Sequence, residues 1–322
     1  MTVSASRSSS RTSSTRRKKA RPARDLAQEV TDKIVAALEA GVIPWRAQHT
    51  AADAGGIPSN LATGKEYRGI NVFLLWIAGL SGCRTRPLWL TYKQAAALGG
   101  QVRAGEKGTG IVFCGVREKK DSKAPDGVKR IPFLKSFTVF NVDQVDGLPG
   151  LPEKTAPPAA AAPGLPTPER VACEEIIQHY LRGARAPRVA EMDVTPHYTP
   201  RTDSIVTPPM ASFETPAAYF GTLFHEMAHS TGHASRLARP GIVNAGTGGR
   251  KAYAAEEMVA ELAAALVCAH AGIAPQTEEM SAAYIGGWLD AVQEDKGFFL
   301  KAAGAAQKAV DLMRPGVAFE EA

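Results

Sequence analysis

Apolar residues recur at every fourth position early in the chain, after a polar start. They are Leu26, Val30, Ile34 and Leu38. This spacing predicts a helix with one buried face that ends at Gly41. Runs rich in β-branched and aromatic residues follow at 110–116 and 137–142, and Gly-rich segments between them indicate turns. The front half is therefore expected to mix helices with strands.

The back half shows a different alternation of patterns. A helical pattern covers 168–183, an extended stretch covers 196–209, and several Ala-rich helical segments close the chain. Thr215 followed by Pro216 is a typical helix start, with a capping hydroxyl and a proline in the first turn. A stripe at helical spacing follows and is expected to be buried: Phe220, Leu223, Phe224, Met227 and Thr231. Strands that come first and helices that come later predict an α+β fold.

Proline and charge divide the chain into four parts. Residues 147–168 contain seven of the 22 prolines, which indicates a semi-extended linker. Residues 1–24 contain one valine and no aromatic residue, so they cannot bury enough apolar surface to fold. We expect a disordered basic tail at 1–24, a small mixed α/β domain at 25–146, a linker at 147–167 and a second domain at 168–322.

The net charge is concentrated at the front. Residues 1–24 carry eight Lys or Arg and no acid, residues 25–150 carry 16 basic and 12 acidic residues, and the remainder carries 14 and 20. The front is thus suited to a polyanion and the back is not. For the tail itself, a nucleic-acid-contacting arm, a solubilising segment and a targeting segment all stay open, although a secretory signal would need an apolar region that is missing.

The composition narrows the class of protein. Apolar residues make up 44% of the chain, and no apolar run is long enough to predict a membrane span. The four cysteines, Cys83, Cys114, Cys173 and Cys268, form no C-x-x-C pair. This argues against a disulfide scaffold and a cysteine zinc knuckle, and it favours a reducing cytoplasm.

The segment "GTLFHEMAHSTGH" at 221–233 contains H-E-x-x-H. On a helix His225 and His229 project from one face, as two ligands of one zinc ion must. Glu226 lies beside them, where it can take a proton from water and pass it to a leaving amine. The alternative is a helix with incidental surface histidines.

A third ligand has to come from elsewhere in the chain. His233 is one candidate, although Gly232 is expected to end the helix before it. The favoured candidate is Glu257, because carboxylates within a strongly apolar helical segment are costly unless paired or coordinated. Glu261, four residues later, is then expected to accept a hydrogen bond from a ligand imidazole, and Glu256 is expected to be solvated.

Longer stretches resemble a known family. The runs "YFGTLFHEMAHSTGHASRL", "AAEEMVAELAAALV" and "AAYIGGWL" are similar to the zincin-like metallopeptidase domain of the ArdC-type antirestriction proteins. The runs "GIPSNLATGKEYRGINVFLLW", "WLTYKQAAALGGQVRAGEKGTGIVF" and "FTVFNVDQ" resemble that family's N-terminal single-strand-DNA-binding domain, which plasmid primases share. The resemblance covers about residues 25–146 and 168–314.

The resemblance implies a function as well as a fold. It implies that His225, His229 and Glu257 hold one divalent metal, zinc before manganese or cobalt, and that Glu226 is catalytic. It implies that "TDSIVTPP" at 202–209 is an edge strand for a substrate backbone. It also implies protection of incoming plasmid or phage DNA from restriction, with an unidentified protein substrate such as a host restriction or defence factor.

Basic and aromatic residues interleave between positions 60 and 110, independently of the resemblance. Single strands are bound in this way, with cations along the phosphates and rings stacked on bases. Trp45, Trp76 and Trp89 are expected in the core. The predicted DNA contacts are Lys65, Tyr67, Arg68, Asn71, Tyr92, Lys93, Arg103 and Lys107.

Two other functions remain open at this stage. One is a DNA-binding protein whose metal is purely structural, although such a site fills its fourth position with a side chain. The other is a primase-associated or toxin-like polypeptide, which would need a carboxylate cluster for phosphoryl transfer in the front half.

Overall fold

The structure is a computed structural model of the 322-residue chain. It describes residues 25–40, 43–45, 56–82, 84, 86–123, 127–151, 167–245, 249–274 and 282–316. The expected basic tail at 1–24 lies outside the described residues, as does most of the expected linker.

The first helix, α1 (Leu26–Glu39), follows the sequence prediction. Asp25 caps it by accepting a hydrogen bond from the backbone N–H of Gln28. The buried face includes Val30, Ile34 and Leu38, so the four-residue spacing identified the face that packs.

In its described residues, the front half continues with two α-helices and six strands. The helices are α2 (Ile70–Ser81) and α3 (Tyr92–Ala97). The strands are β1 (Ser59–Asn60), β2 (Leu88–Leu90), β3 (Gln101–Val102), β4 (Thr109–Lys120), β5 (Val128–Asn141) and β6 (Val145–Asp146). Four of them form a sheet in the order β1-β2-β5-β4, and β3 pairs with β6.

Strands β4 and β5 form a long antiparallel hairpin. Their pairing runs from Thr109 opposite Val139 to Lys120 opposite Val128. Near the sheet Ile111 and Val112 are buried, whereas most side chains beyond them are exposed. The outer part of the hairpin therefore extends away from the core.

The part of the back half that the structure describes contains a second sheet and six α-helices. The strands are β7 (Arg188–Glu191), β8 (His197–Thr199) and β9 (Ser204–Thr207). The helices are α4 (Thr167–Leu181), α5 (Pro216–Ser230), α6 (Pro240–Val243), α7 (Gly249–Ala271), α8 (Ala282–Glu294) and α9 (Phe298–Met313). The mixed helix and sheet content confirms the predicted α+β class.

The expected edge strand is wrong. Strand β9, which lies within 202–209, is the central strand of the order β7-β9-β8. It pairs parallel with β7 and antiparallel with β8, so both sides of its backbone are already hydrogen-bonded. Among the described strands, the edges of this sheet are β7 and β8.

Helix α7 lies at the centre of the back half. Helices α4, α5, α6, α8 and α9 all contact it. Every residue from 256 to 269 is buried, and many of them are alanines whose small side chains let neighbouring backbones approach. A helix covered on all sides buries its polar residues together with its apolar ones.

The two predicted domains share one continuous core. Helices α1 and α2 contact α8 or α9. Trp45 packs with its ring centroid 6.4 Å from that of Phe73 in the front half, and 5.7 Å and 6.3 Å from those of Trp288 and Phe299 in the back half. The expected burial of Trp45, Trp76 and Trp89 is confirmed.

Hydrogen bonds reinforce this shared core. The hydroxyl of Thr31 donates to the backbone oxygen of Lys296 over 2.8 Å. The backbone N–H of Gly69 donates to the side chain of Gln307 over 2.8 Å. Each bond joins an element of the front half to one of the back half.

No helix among the described residues combines the length and apolar character needed to cross a membrane.

We predict that Trp45→Ala destabilises both halves together. Loss of this buried ring should lower the free energy of unfolding by about 3–5 kcal/mol, because the cavity opens where front and back meet. Chemical denaturation followed by far-UV circular dichroism and by tryptophan fluorescence should give one coincident transition. Met192→Ala, at a site 54% exposed, should change stability little. Two separate transitions, with only one shifted, would show that the halves fold independently.

Candidate metal centre and nucleic-acid interface

Helix α5 holds the two histidines of the H-E-x-x-H segment. Thr215 caps the helix by accepting a hydrogen bond from the backbone N–H of Ala218 over 3.1 Å, and Pro216 occupies its first turn. The expected apolar stripe is buried: Phe220, Leu223, Phe224, Met227 and Thr231. The stripe fixes the rotation of the helix and so the direction of its histidine face.

Three side chains from two helices converge in space. His225 and His229 of α5 meet Glu257 of α7, with one possible ligand atom of each lying within 4.8 Å of the others. The two Nε2 atoms are 3.1 Å apart. Oxygens of Glu257 lie 3.5 Å from Nε2 of His225 and 3.6 Å from Nε2 of His229.

These distances fit a metal ion. Tetrahedral zinc with ligands at about 2.0–2.1 Å places neighbouring ligand atoms about 3.3 Å apart. The observed separations bracket that value without any rearrangement. Among the described residues, this is the group of three or more His, Cys, Asp or Glu side chains close enough to hold an ion.

The electrostatics of the group favour a cation. Burial alone would lower the pKa of His229, but hydrogen bonds to the Glu256 and Glu257 carboxylates raise it to about 10. Burial would raise the pKa of Glu257, but hydrogen bonds from His225 and His229 hold it well below its usual range. Two buried carboxylates thus stabilise positive charge here, and a divalent cation would supply it in place of the proton.

Glu226 lies close to the same group. Its side chain is 8% exposed, and its negative charge contributes to the raised pKa of His229. A carboxylate beside these three side chains has the chemistry to exchange a proton with a nearby water molecule.

The expectation that Glu256 is solvated is wrong. Glu256 is 6% exposed. One of its oxygens lies 3.3 Å from Nδ1 of His229. Its other contacts are with Arg239, which donates to its two oxygens over 2.5 Å and 3.0 Å. Glu256 therefore stands between a buried guanidinium and a ligand imidazole.

Arg239 also ties this pair to the end of α5. Its guanidinium donates to Oγ1 of Thr231 over 2.6 Å and to the backbone oxygen of Ala228 over 2.8 Å. A Cβ atom at Gly232 would lie 2.9 Å from Nη2 of Arg239, so the glycine leaves room for the guanidinium. Arg239, just before α6, carries no motif that sequence analysis can identify.

Glu261 is near His225 but not bonded to it. Oε1 of Glu261 lies 3.9 Å from Nδ1 of His225, which exceeds a hydrogen-bond length. That Nδ1 atom is buried without a hydrogen-bond partner. The two residues are placed so that a small movement would pair them.

His233 belongs to a different cluster. Its Nδ1 lies 2.8 Å from the hydroxyl of Ser235 and 3.8 Å from a carboxylate oxygen of Asp203. Helix α5 ends at Ser230, before Gly232. Asp203 also pairs with Arg236, so His233 serves to join the helix end to the sheet.

Two of the expected DNA contacts hold the protein together. The Asn71 amide donates to the backbone oxygen of Val112 over 2.7 Å and accepts from its N–H over 2.9 Å, which fastens α2 to β4. Arg68 pairs with Asp311 of α9. The Asn71 amide is thereby used inside the protein, whereas the Arg68 side chain remains 52% exposed beside Asp311.

Tyr67 and Arg103 are also engaged. Tyr67 packs against the core and its pKa is raised by burial, while its hydroxyl accepts a hydrogen bond from Asn60. Arg103 pairs with Glu106 and Asp146. The partly buried ring of Tyr67 therefore offers less free surface for stacking on a base than an exposed ring does.

The remaining four expected contacts are exposed. They are Lys65, Tyr92, Lys93 and Lys107. Tyr92 borders a shallow groove that also contains Glu106 and Asp146. The carboxylates make that groove a weaker site for phosphate than the sequence pattern suggests.

Comparison with known proteins matches both halves to described domains. Residues 24–140 match the N-terminal domain of anti-restriction factor ArdC, and residues 177–305 match a zincin-like metallopeptidase. The uncharacterized protein y4eC of Sinorhizobium fredii (strain NBRC 101917 / NGR234) is 34% identical, over 90% of this chain and 91% of that protein.

Longer proteins contain the same region. A DNA primase TraC of Escherichia coli is 34% identical over 93% of this chain, which spans 20% of the primase. A second TraC from Escherichia coli is 35% identical over 91% of this chain, which spans 27% of it. The chain thus corresponds to a minor part of these relatives.

Solved structures agree with the sequence matches. The metal-free crystal structure of the antirestriction ArdC protein from the R388 plasmid is 39% identical, with a TM-score of 0.71 over 90% of this chain and 96% of that one. The Mn(II)-bound structure of the same protein is 38% identical, with a TM-score of 0.70 over 90% of this chain and 97% of that one. A zincin-like domain and a metal-bound relative imply a divalent metal here. The chain belongs to the ArdC family of antirestriction proteins, with an N-terminal ArdC domain followed by a zincin-like domain.

Proposed function

We propose that this antirestriction protein binds single-stranded DNA and hydrolyses peptide bonds at a metal centre held by His225, His229 and Glu257. The convergence of these ligand atoms at 3.1–3.6 Å, with Glu226 beside them, is the observation that carries the proposal. Two imidazoles and one carboxylate are a ligand set typical of catalytic zinc. Manganese, present in the R388 relative, is the alternative.

The residues of the chain divide the chemistry between them. When bound, the metal ion would act as a Lewis acid, which polarises the scissile carbonyl and lowers the pKa of water. Glu226 accepts a proton from the attacking water on its carboxylate and transfers it to the leaving amine nitrogen. Glu256, held by Arg239, keeps Nδ1 of His229 hydrogen-bonded and so leaves Nε2 for the ligand role.

The site favours catalysis over a purely structural metal. A structural zinc site closes its fourth position with a protein side chain. In the described part of the chain, the group contains three ligands and no fourth His, Cys, Asp or Glu. Glu226, nearly buried beside the three ligands, would have no role in a closed site.

The protein substrate is proposed to be a host restriction or defence factor. A substrate backbone that pairs as an added strand needs an unpaired edge. Since β9 is central, we assign this role to β8, which lies at one edge of the sheet and contacts α5.

DNA binding is proposed for the front half. A region shared with DNA primases supports DNA as the ligand. Because bases of a single strand are free to meet aromatic side chains and bases of a duplex are not, the exposed rings of this half favour single strands.

We predict that one divalent ion binds per chain and that its loss follows the ligand set. His225→Ala and Glu257→Ala should lose the ion, since two remaining ligands hold it poorly, whereas His233→Ala should keep it. Glu226→Gln should keep the ion and stop hydrolysis, because the amide cannot accept the proton. Elemental analysis of the purified variants measures the first effect, and cleavage of a peptide library measures the second.

The control for the ligand set is His233, which lies just beyond the end of α5. Loss of metal in His233→Ala together with retention in Glu257→Ala would reassign the third ligand. Undiminished cleavage by Glu226→Gln would remove that residue from the mechanism.

We predict that Glu256→Ala weakens metal affinity about 10–100-fold, the usual effect of removing an outer partner of a ligand imidazole. Titration with zinc against a competing chelator measures it. Glu294→Ala is the matched control. It breaks an exposed ion pair with Lys251, which lies on α7 like Glu256, and it should leave the metal affinity unchanged. Equal affinity in the two variants would show that Glu256 serves only to neutralise Arg239.

We predict that the full-length protein binds single-stranded oligonucleotides more tightly than duplex of equal length, and does so without metal. Glu257→Ala should bind as the parent does. Removing residues 1–24, with their eight basic residues, should reduce the slope of log affinity against log salt by up to about 6. Fluorescence anisotropy over a salt series gives both values. Preference for duplex, or dependence on the metal ligands, would contradict the proposal.

A further inference from the structure

The hairpin of β4 and β5 has two unlike faces. Directly opposed residues of an antiparallel pair lie on the same face, and successive residues alternate between faces. The register therefore places the rungs Ile111–Phe137, Phe113–Lys135, Gly115–Phe133, Arg117–Ile131 and Lys119–Lys129 on one face. These residues form the hairpin face.

The hairpin face combines three aromatic rings with four cations and no acid. The rings are Phe113, Phe133 and Phe137, and the cations are Arg117, Lys119, Lys129 and Lys135. Phe113 is 54% exposed and Phe137 is 40% exposed. Phenylalanine with that much exposed surface gains little from folding, which suggests a binding role.

Cations and rings on this face are interleaved. The guanidinium of Arg117 lies 5.6 Å from the ring centroid of Phe133, and Nζ of Lys135 lies 5.1 Å from that of Phe137. The rings of Phe113 and Phe133 are 6.2 Å apart. Each ring therefore has another flat or charged group at its side, as in a platform for bases and phosphates.

Gly115 is what brings two of these rings together. A Cβ atom at this position would lie 2.7 Å from Phe133 and 2.8 Å from Phe113. Any side chain would push the rings off the strand, so the glycine shapes a shallow apolar floor between them.

The opposite face differs in composition. It contains Cys114, Val116 and Leu134, together with an ion pair between Glu118 and Arg130 at 3.3 Å. Its charges are already neutralised in part. Over residues 109–123 and 127–141 the hairpin carries seven Lys or Arg and two acids, and the unpaired share of that charge concentrates on the hairpin face.

We propose that a single strand of nucleic acid lies along the hairpin face, with bases stacked on Phe113 and Phe137 and phosphates held by the four cations. The inference rests on the proposed function of the front half and locates it. Rungs on one face are about 6.8 Å apart, twice the ~3.4 Å rise per nucleotide along the axis of stacked B-form DNA. The face therefore suits an extended strand whose bases are splayed.

Charge selects this occupant over a protein partner. A surface with four cations and no acid repels basic protein surfaces and attracts a polyanion. Duplex also carries the charge, but its stacked bases cannot reach the rings. The hairpin face lies beyond the region between positions 60 and 110 in which basic and aromatic residues interleave. Aromatic residues and cations nevertheless alternate on one face of β5, at Phe133, Lys135 and Phe137.

The test uses the full-length protein and a fluorescent oligothymidylate. Phe113→Ala and Phe137→Ala should each weaken binding at least about fivefold at all salt concentrations, whereas Phe113→Tyr should bind as the parent does. Val116→Ala and Leu134→Ala remove similarly exposed apolar groups from the opposite face and should have no effect. Changing the four cations to Gln should reduce the salt slope by up to about 3.

The outcomes separate this inference from the proposed function. Binding by the parent that is unchanged in both Phe variants would overturn the hairpin face and leave single-strand binding in place. No binding by the parent would overturn both. If the Phe variants bind as the parent does but light scattering shows an altered oligomeric state, the face is a protein interface and the inference is also overturned. Thermal melting that matches the parent confirms that each variant is folded.

Discussion

The close approach of α5 and α7 is the contact on which the metal centre depends. Two side chains four residues apart on α5 meet adjacent glutamates on α7, at separations that bring the ligand atoms of His225, His229 and Glu257 within 3.6 Å. Alanines along α7 make this distance possible, because larger side chains would hold the helices apart. The same packing takes carboxylates out of water, which would be unfavourable without cationic partners.

One of those partners comes from outside the two helices, and the others are the imidazoles of α5. Arg239 neutralises Glu256 and also binds backbone oxygens at the end of α5, so one guanidinium links the ligand helix to the carboxylate behind it. Glu257 is compensated by the imidazoles themselves, with a lowered pKa as the result. The site is thus anionic by construction of the fold, and a divalent cation completes its charge balance.

Helix α7 also connects the centre to the rest of the molecule. It packs on α9, and α9 in turn contacts α1 and α2 of the front half. Trp45 sits where these elements meet. The metal-binding half and the half proposed to bind DNA are therefore packed around one continuous core, while the hairpin face lies on the strands that extend beyond it.

The sequence by itself determined the features of the fold that depend on local periodicity. They include the buried face of α1, the capped start and apolar stripe of α5, the strands β4 and β5, and the α+β class. The i,i+4 spacing of His225 and His229 indicated a ligand pair for the same reason, and the family resemblance is confirmed by both domain matches. Such features follow from neighbouring residues and need no knowledge of what packs against them.

Tertiary structure decided what depends on partners distant in the chain. Glu256 is buried because α7 is covered on every side, and a carboxylate's environment cannot be read from its own helix. The central place of β9 follows from β7 and β8 pairing on its two sides. Asn71 has a structural role because β4 passes beside α2 and both bonds of its amide are made there. Phe113 is exposed because the hairpin extends beyond the sheet. Burial is a property of the assembled fold, and the sequence alone does not specify which aromatic or charged groups the fold will cover.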